Sequence, residues 1–175
     1  MTAHNELETF RTVWNREAEN TIRVLQSLPA DQYDFRPDPK GRSIGEMAWH
    51  LSEIDACISF GVAERRFSFA DEPPHLQRPR EIGLLAPGFR LIHEEAVARL
   101  ANLKGEDLHE EVDFFDGTKM TIREVLWGAL LHHLIHHRAQ LVLLSRQAGG
   151  APPGVYGPNR EEMEALRSKM EAGKA

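Results

Sequence analysis

Apolar residues recur at helical spacing in four long stretches, separated by joints rich in proline or glycine. The first stretch, residues 6–28, carries Phe10, Val13, Trp14, Ile22, Val24, Leu25 and Leu28, with a polar interruption over 15–20. Pro29, Pro37 and Pro39 then mark a loop. Ser43-Ile44-Gly45-Glu46 has the form of a capping box, in which the serine hydroxyl accepts from the N3 amide and the glutamate reaches back to the cap. It predicts a second helix running to about Phe67, with Ile44, Met47, Leu51, Ile54 and Ile58 on one face. Residues 69–86, bearing Pro73, Pro74 and Pro79, read as a long connection. A third helix is expected over 88–103, with Phe89, Ile92, Ala96, Leu100 and Leu103 as its stripe. Asp116-Gly117 predicts a hairpin-type turn between at most two short strands. Thr121 and Glu124 form a second capping box, opening a helix that Gly149-Gly150 and Pro152-Pro153 stop near Gln147. Asn159 caps a short last helix carrying Met163, Leu166 and Met170.

This pattern is all-α: a four-helix bundle plus a short C-terminal helix. A long 69–86 joint lets the second and third helices run parallel, which makes one crossover connection. The length of 175 residues suits a single domain spanning 1–175. The formal charge of −6 argues against a nucleic-acid partner, and no apolar run is long enough for a membrane span. One cysteine, Cys57, excludes an internal disulfide and a cysteine-rich zinc site, and fits a cytoplasmic protein without a signal peptide.

Histidine changes the picture. Four of nine crowd into residues 132–137. At about 100° per residue, His133 and His137 fall within about 40° of each other on the apolar stripe of the fourth helix, among Ile122, Leu126, Leu130 and Leu144. His50 is central on the stripe of the second helix. Two imidazoles one turn apart can share a metal ion, and a third from a facing helix leaves at least one coordination position open, the pattern of catalytic sites. Buried histidines hydrogen-bonded to neighbours are the alternative, and the better reading for His93 on the third helix. His4, His75 and His109 read as solvated. Cys57, seven residues past His50, reads as a small core residue. Gln140 reads equally as a donor to a bound water or ligand or as core-edge polarity, and Glu46 and Glu53 stand where they can orient His50.

Three segments carry a resemblance: Ser43-Ile44-Gly45-Glu46-Met47-Ala48-Trp49-His50-Leu51, the run His133-Leu134-Ile135-His136-His137-Arg138-Ala139-Gln140-Leu141, and the tail Pro152-Pro153-Gly154-Val155-Tyr156-Gly157-Pro158. Together they resemble the DinB/YfiT-like family of four-helix bundles over about residues 8–160. Ala139 stands where that family often has glycine. The resemblance implies a divalent metal held by His50, His133 and His137, and frequently a homodimer. Some members are thiol transferases using bacillithiol, mycothiol or glutathione, and others are maleylpyruvate isomerases.

Three functions follow as expectations. One is a zinc- or nickel-dependent S-transferase that joins a low-molecular-weight thiol to a small electrophile. Another is a metal-dependent hydrolase, disfavoured because no carboxylate is central on either stripe. The third is a non-catalytic metal-binding stress-response dimer. The fourth helix also shows apolar residues opposite His133, namely Leu131, Ile135 and Val142 flanked by Trp127 and Leu134. A face of this kind must be covered. A second copy through helix 4 is the expected cover, and the segment 155–170 the alternative.

Overall fold

The computed structural model describes residues 3–173. Its helices are α1 (Ala3–Gln26), α2 (Ile44–Glu64), α3 (Ile82–Arg99), α4 (residues 122–147) and α5 (Arg160–Ala172). A 3₁₀ turn, Glu106–His109, leads into a small antiparallel hairpin of β1 (Glu111–Asp113) and β2 (Lys119–Thr121), with Val112 opposite Met120. Both expected capping boxes form, at Ser43/Glu46 and Thr121/Glu124, and the Asn159 cap proves to be a third, with Glu162 reaching back to it.

Side-chain pairs give the helix directions. Trp49 packs on Gly88, Asp55 bonds His93, and Ser59 accepts from Arg99, so α2 and α3 run parallel. Arg11 reaches the carbonyl of Leu100 and Glu19 pairs with Arg90, so α1 opposes α3. Glu6 meets Arg123 and Glu17 meets Arg138, so α1 and α4 are parallel. The bundle is therefore up-down-down-up, with the crossover between α2 and α3.

That crossover has nearly the expected length but lies four to five residues earlier than the sequence suggests. α2 ends at Glu64, where Arg65 turns left-handed, and α3 begins at Ile82. Pro87 lies inside α3 rather than before it. In the second turn the missing N–H costs one hydrogen bond, and the buried Ile82, Leu85 and Ala86 hold the segment helical.

α4 is built from three pieces that abut. Ile122–Glu124 is α-helical, Val125–His132 has the wider π-helical turn, and His133–Gln147 is α-helical again. The sequence asks for this. Buried positions fall every four residues at Ile122, Leu126, Leu130, Leu134 and Arg138. At an α pitch, each four-residue step drifts about 40° off the face. Wider turns absorb the drift. They also overturn the uniform rotation applied to the sequence: Leu131 and Leu134, expected near the outer face, are buried within the chain. Trp127 is half-buried, edge-on to Phe10 at 5.5 Å. Ile135 and Val142 of that outer set are half-buried beside the tail residues Pro152–Tyr156. α5 buries nothing, and Leu166 and Met170 on it are exposed.

Two polar clusters lie inside the bundle. Arg138 is 2% exposed and donates to Glu17 Oε2 at 2.6 Å and to the Glu17 carbonyl at 2.8 Å; Tyr156 donates to the same carboxylate at 2.7 Å. Burial pushes the Glu17 carboxyl up, but the bonds from Tyr156 and Arg138 outweigh it and hold it below its ordinary value. The polar interruption over 15–20 in the sequence is thus the α1 half of a buried ion pair. The other cluster is Asp55, fully buried, which accepts from Trp14 Nε1 at 3.0 Å and faces His93 Nδ1 at 2.6 Å. His93 is structural, as expected.

A candidate metal centre beside an aromatic cavity

His50 on α2 and His133 and His137 on α4 come together, with one ligand-capable atom from each lying within 4.8 Å of the others. All three are half-buried. Among the described residues this is the group of histidine, cysteine and carboxylate side chains that converges closely enough to hold a metal ion. The histidines flank the buried stripe of α4 rather than centring it; Leu134, Arg138 and Leu141 take the centre.

Each imidazole has an oxygen against its Nδ1. His50 Nδ1 meets Glu53 Oε2 at 2.9 Å, His133 Nδ1 meets the Ala129 carbonyl at 3.3 Å, and His137 Nδ1 meets Gln140 Oε1 at 2.7 Å. In each case Nδ1–H donates, and each acceptor is on the histidine's own helix, three or four residues away. The tautomer is thereby fixed, and Nε2 is left with a lone pair. Burial, together with the neighbouring imidazoles, pushes His133 down and His137 down to about 4, so these rings are neutral at physiological pH. Neutral imidazoles with oriented Nε2 atoms are the donor set that a divalent ion such as zinc requires.

Gln140 is exposed; it accepts from His137 and contacts His136 Nε2 at 3.0 Å. Glu53 takes the orienting position, while Glu46 is held by its capping box and by Arg36. His132, His136 and His109 are exposed, and His75 pairs with Glu95 at 2.7 Å. The side chain of His4 lies outside the described residues.

Cys57 departs from the sequence expectation. It is half-buried and lines a cavity of about 700 Å³ that also reaches His50, Glu53 and His133. Burial, and the charge of Glu53, push its thiol up. Five phenylalanines also line it: Phe60 from α2, Phe67 and Phe69 from the connection, Phe114 and Phe115 from the hairpin. These last four belong to no helical stripe, so periodicity in the sequence marks none of them as facing inward.

A sequence model of the DinB family matches residues 1–172. The chain belongs to the DinB family. It is 29% identical over 160 residues to the uncharacterized protein YrdA of Bacillus subtilis strain 168, covering 89% of this chain and 91% of YrdA. Among solved structures, a DinB-like protein from Bacillus cereus ATCC 10987 superposes with a TM-score of 0.71 at 28% identity, over 85% of this chain and 97% of that one. The DinB-like protein YjoA from Bacillus subtilis superposes with a TM-score of 0.67 at 23% identity, over 87% and 99%, and shares the fold. No described helix of this family member is long and apolar enough to cross a membrane.

Proposed function

We propose that this DinB protein is a metal-dependent S-transferase that joins a low-molecular-weight thiol to a small electrophile, with His50, His133 and His137 holding one divalent ion, zinc or nickel. The supporting observation is the convergence of three imidazoles, each with one ligand-capable nitrogen, at the edge of a cavity large enough for a substrate. A cation there lowers the pKa of a thiol that reaches it. The protein's own part is to fix the imidazoles through Glu53, Ala129 and Gln140 and to hold the electrophile in the cavity. In the overall reaction the sulfur bonds to the electrophilic carbon. The thiol proton goes to solvent, and the leaving group departs with its bonding pair. A panel of bacillithiol, mycothiol and glutathione against a halogenated aromatic electrophile, with and without chelator, tests this. Metal-dependent turnover with one thiol is expected; turnover unaffected by chelation would overturn it.

One observation favours the hydrolase as a second reading: the Glu53 carboxylate lines the cavity. It is already engaged by His50. Glu53→Gln keeps an acceptor for His50 but cannot take a proton. A hydrolase loses about a hundredfold or more in kcat with this change, whereas the transferase keeps most of its rate.

For assembly we infer a homodimer through α4, on the surface formed by Ile135, Val142 and the exposed Leu143. Light scattering of wild type and of Ile135→Glu/Leu143→Glu tests it. A wild-type mass near 20 kDa would leave the tail as the cover of α4.

A further inference from the structure

The cavity beside the histidines has a direction and a chemical gradient. On α2 its wall runs from His50 to Gly61, eleven residues or about 16 Å at 1.5 Å per residue. On α4, which is antiparallel to α2, it runs from His133 back to Gly128. The histidines are therefore at one end. At the other, Phe67 packs into the notch left by Gly61, where a Cβ would stand 2.2 Å from its ring. Phe67, Phe114 and Phe115 are in mutual ring contact at 5.0–5.3 Å. Phe69 stacks on Phe115 at 4.7 Å, yet is 86% exposed.

The charged groups on the wall pair with each other in part. Glu53 takes the His50 N–H, and Arg66 donates to Asp71 Oδ1 at 2.8 Å. The buried Asp71 Oδ2 is left without a hydrogen-bond partner and disfavours an anionic body, while edges and faces of aromatic rings are presented to whatever enters. A volume of about 700 Å³ is in the range of small-molecule sites. Gly128 opens the wall further, since a Cβ added there meets no neighbouring side chain within 4 Å.

We propose that this cavity receives an uncharged aryl group, so that the substrate brought to the histidines is an elongated molecule with an aromatic body. The destination of its reacting head rests on the metal reading above; the aryl pocket does not.

The test uses the full chain as purified, with N-phenyl-1-naphthylamine as an uncharged diaryl probe. Its fluorescence is titrated, and the rate of Cys57 alkylation by iodoacetamide is followed alongside. Cys57 is the single cysteine and lines the cavity, so it reports occupancy directly. One probe per chain is expected, with alkylation slowed about tenfold at saturation. Gly128→Phe fills the space and weakens binding about tenfold or more, the worth of displacing one phenyl-sized group. Phe115→Ala, which removes wall instead of adding to it, also weakens binding and serves if Gly128→Phe fails to fold by circular dichroism. The sulfonated analogue 8-anilino-1-naphthalenesulfonate binds more weakly than the neutral probe. Unprotected Cys57, binding indifferent to both variants, or preference for the sulfonate would each overturn the proposal. Elemental analysis of the chain as purified and after incubation with added zinc or nickel separates the two readings: a chain that takes up no metal but binds the probe refutes the metal centre and leaves the aryl pocket standing.

Discussion

The Nε2 atoms of His133 and His137 lie 2.9 Å apart, while the Nδ1 of each ring is turned to an oxygen on its own helix. Two neutral imidazoles in this arrangement point lone pairs at each other. A cation held between them would satisfy the contact, with His50 as the third donor at ring-centroid distances of 4.7 Å from His137 and 5.6 Å from His133.

Removal of any one of the three should empty the site. His50→Ala, His133→Ala and His137→Ala are each expected to lose stoichiometric metal after dialysis, measured by elemental analysis, while His136→Ala retains it. Chelation should lower the wild-type melting temperature. Metal at a hundredfold excess over Kd stabilises by about 2.7 kcal/mol, and that increment should vanish in His133→Ala.

Gln140 is expected to act through His137. Gln140→Leu removes the acceptor that fixes the ring and should weaken metal affinity about ten- to a hundredfold. Gln140→Glu restores an acceptor and should recover most of the loss. Competition with a metal-chelating dye measures both; equal affinities for the leucine and glutamate variants would place Gln140 outside the site.

Arg138→Met leaves the Glu17 carboxylate buried without its main partner and should cost about 3–5 kcal/mol in urea unfolding, whereas Glu17→Met/Arg138→Met should recover much of it. The pH dependence has a definite sign. Glu17 is held below its ordinary 4.5 in the folded protein, so its stabilisation is complete above that value and is lost as the pH falls through the folded one. Urea midpoints between pH 7 and pH 3 should therefore drop more steeply in wild type than in the double variant.

Gly61→Ala drives a methyl into the Phe67 ring, which must move or tilt. Overpacking of this kind costs about 1–3 kcal/mol. The displaced ring should also reshape the aromatic end of the cavity, read as a change in Cys57 alkylation rate without loss of metal.

What the sequence revealed was local. Each capping box lies within four residues, and the i, i+4 spacing of His133 and His137 is a property of one helix. Glu17 and Arg138 are 121 positions apart, so each reads as an ordinary surface charge until the fold joins them. Asp55 is hidden for the same reason, since its partners Trp14 and His93 lie on two other helices. Pro87 reads as a break because its cost is local, while the burial of Ile82 and Leu85 that outweighs it is tertiary. The aromatic wall was not legible because Phe67, Phe69, Phe114 and Phe115 sit in connections, where no periodicity marks an inward face.

The wide turns of α4 between Val125 and His132 hold more chain per turn than an α-helix of the same length. They therefore carry about one residue of spare length. A related chain shorter by one residue in this stretch can close into ordinary helix and still present Ile122 and Leu126 to the bundle, with His133 and His137 unturned. Alignments between such chains should place a single-residue gap here, inside a helix, rather than in the flanking loops where gaps are usually sought.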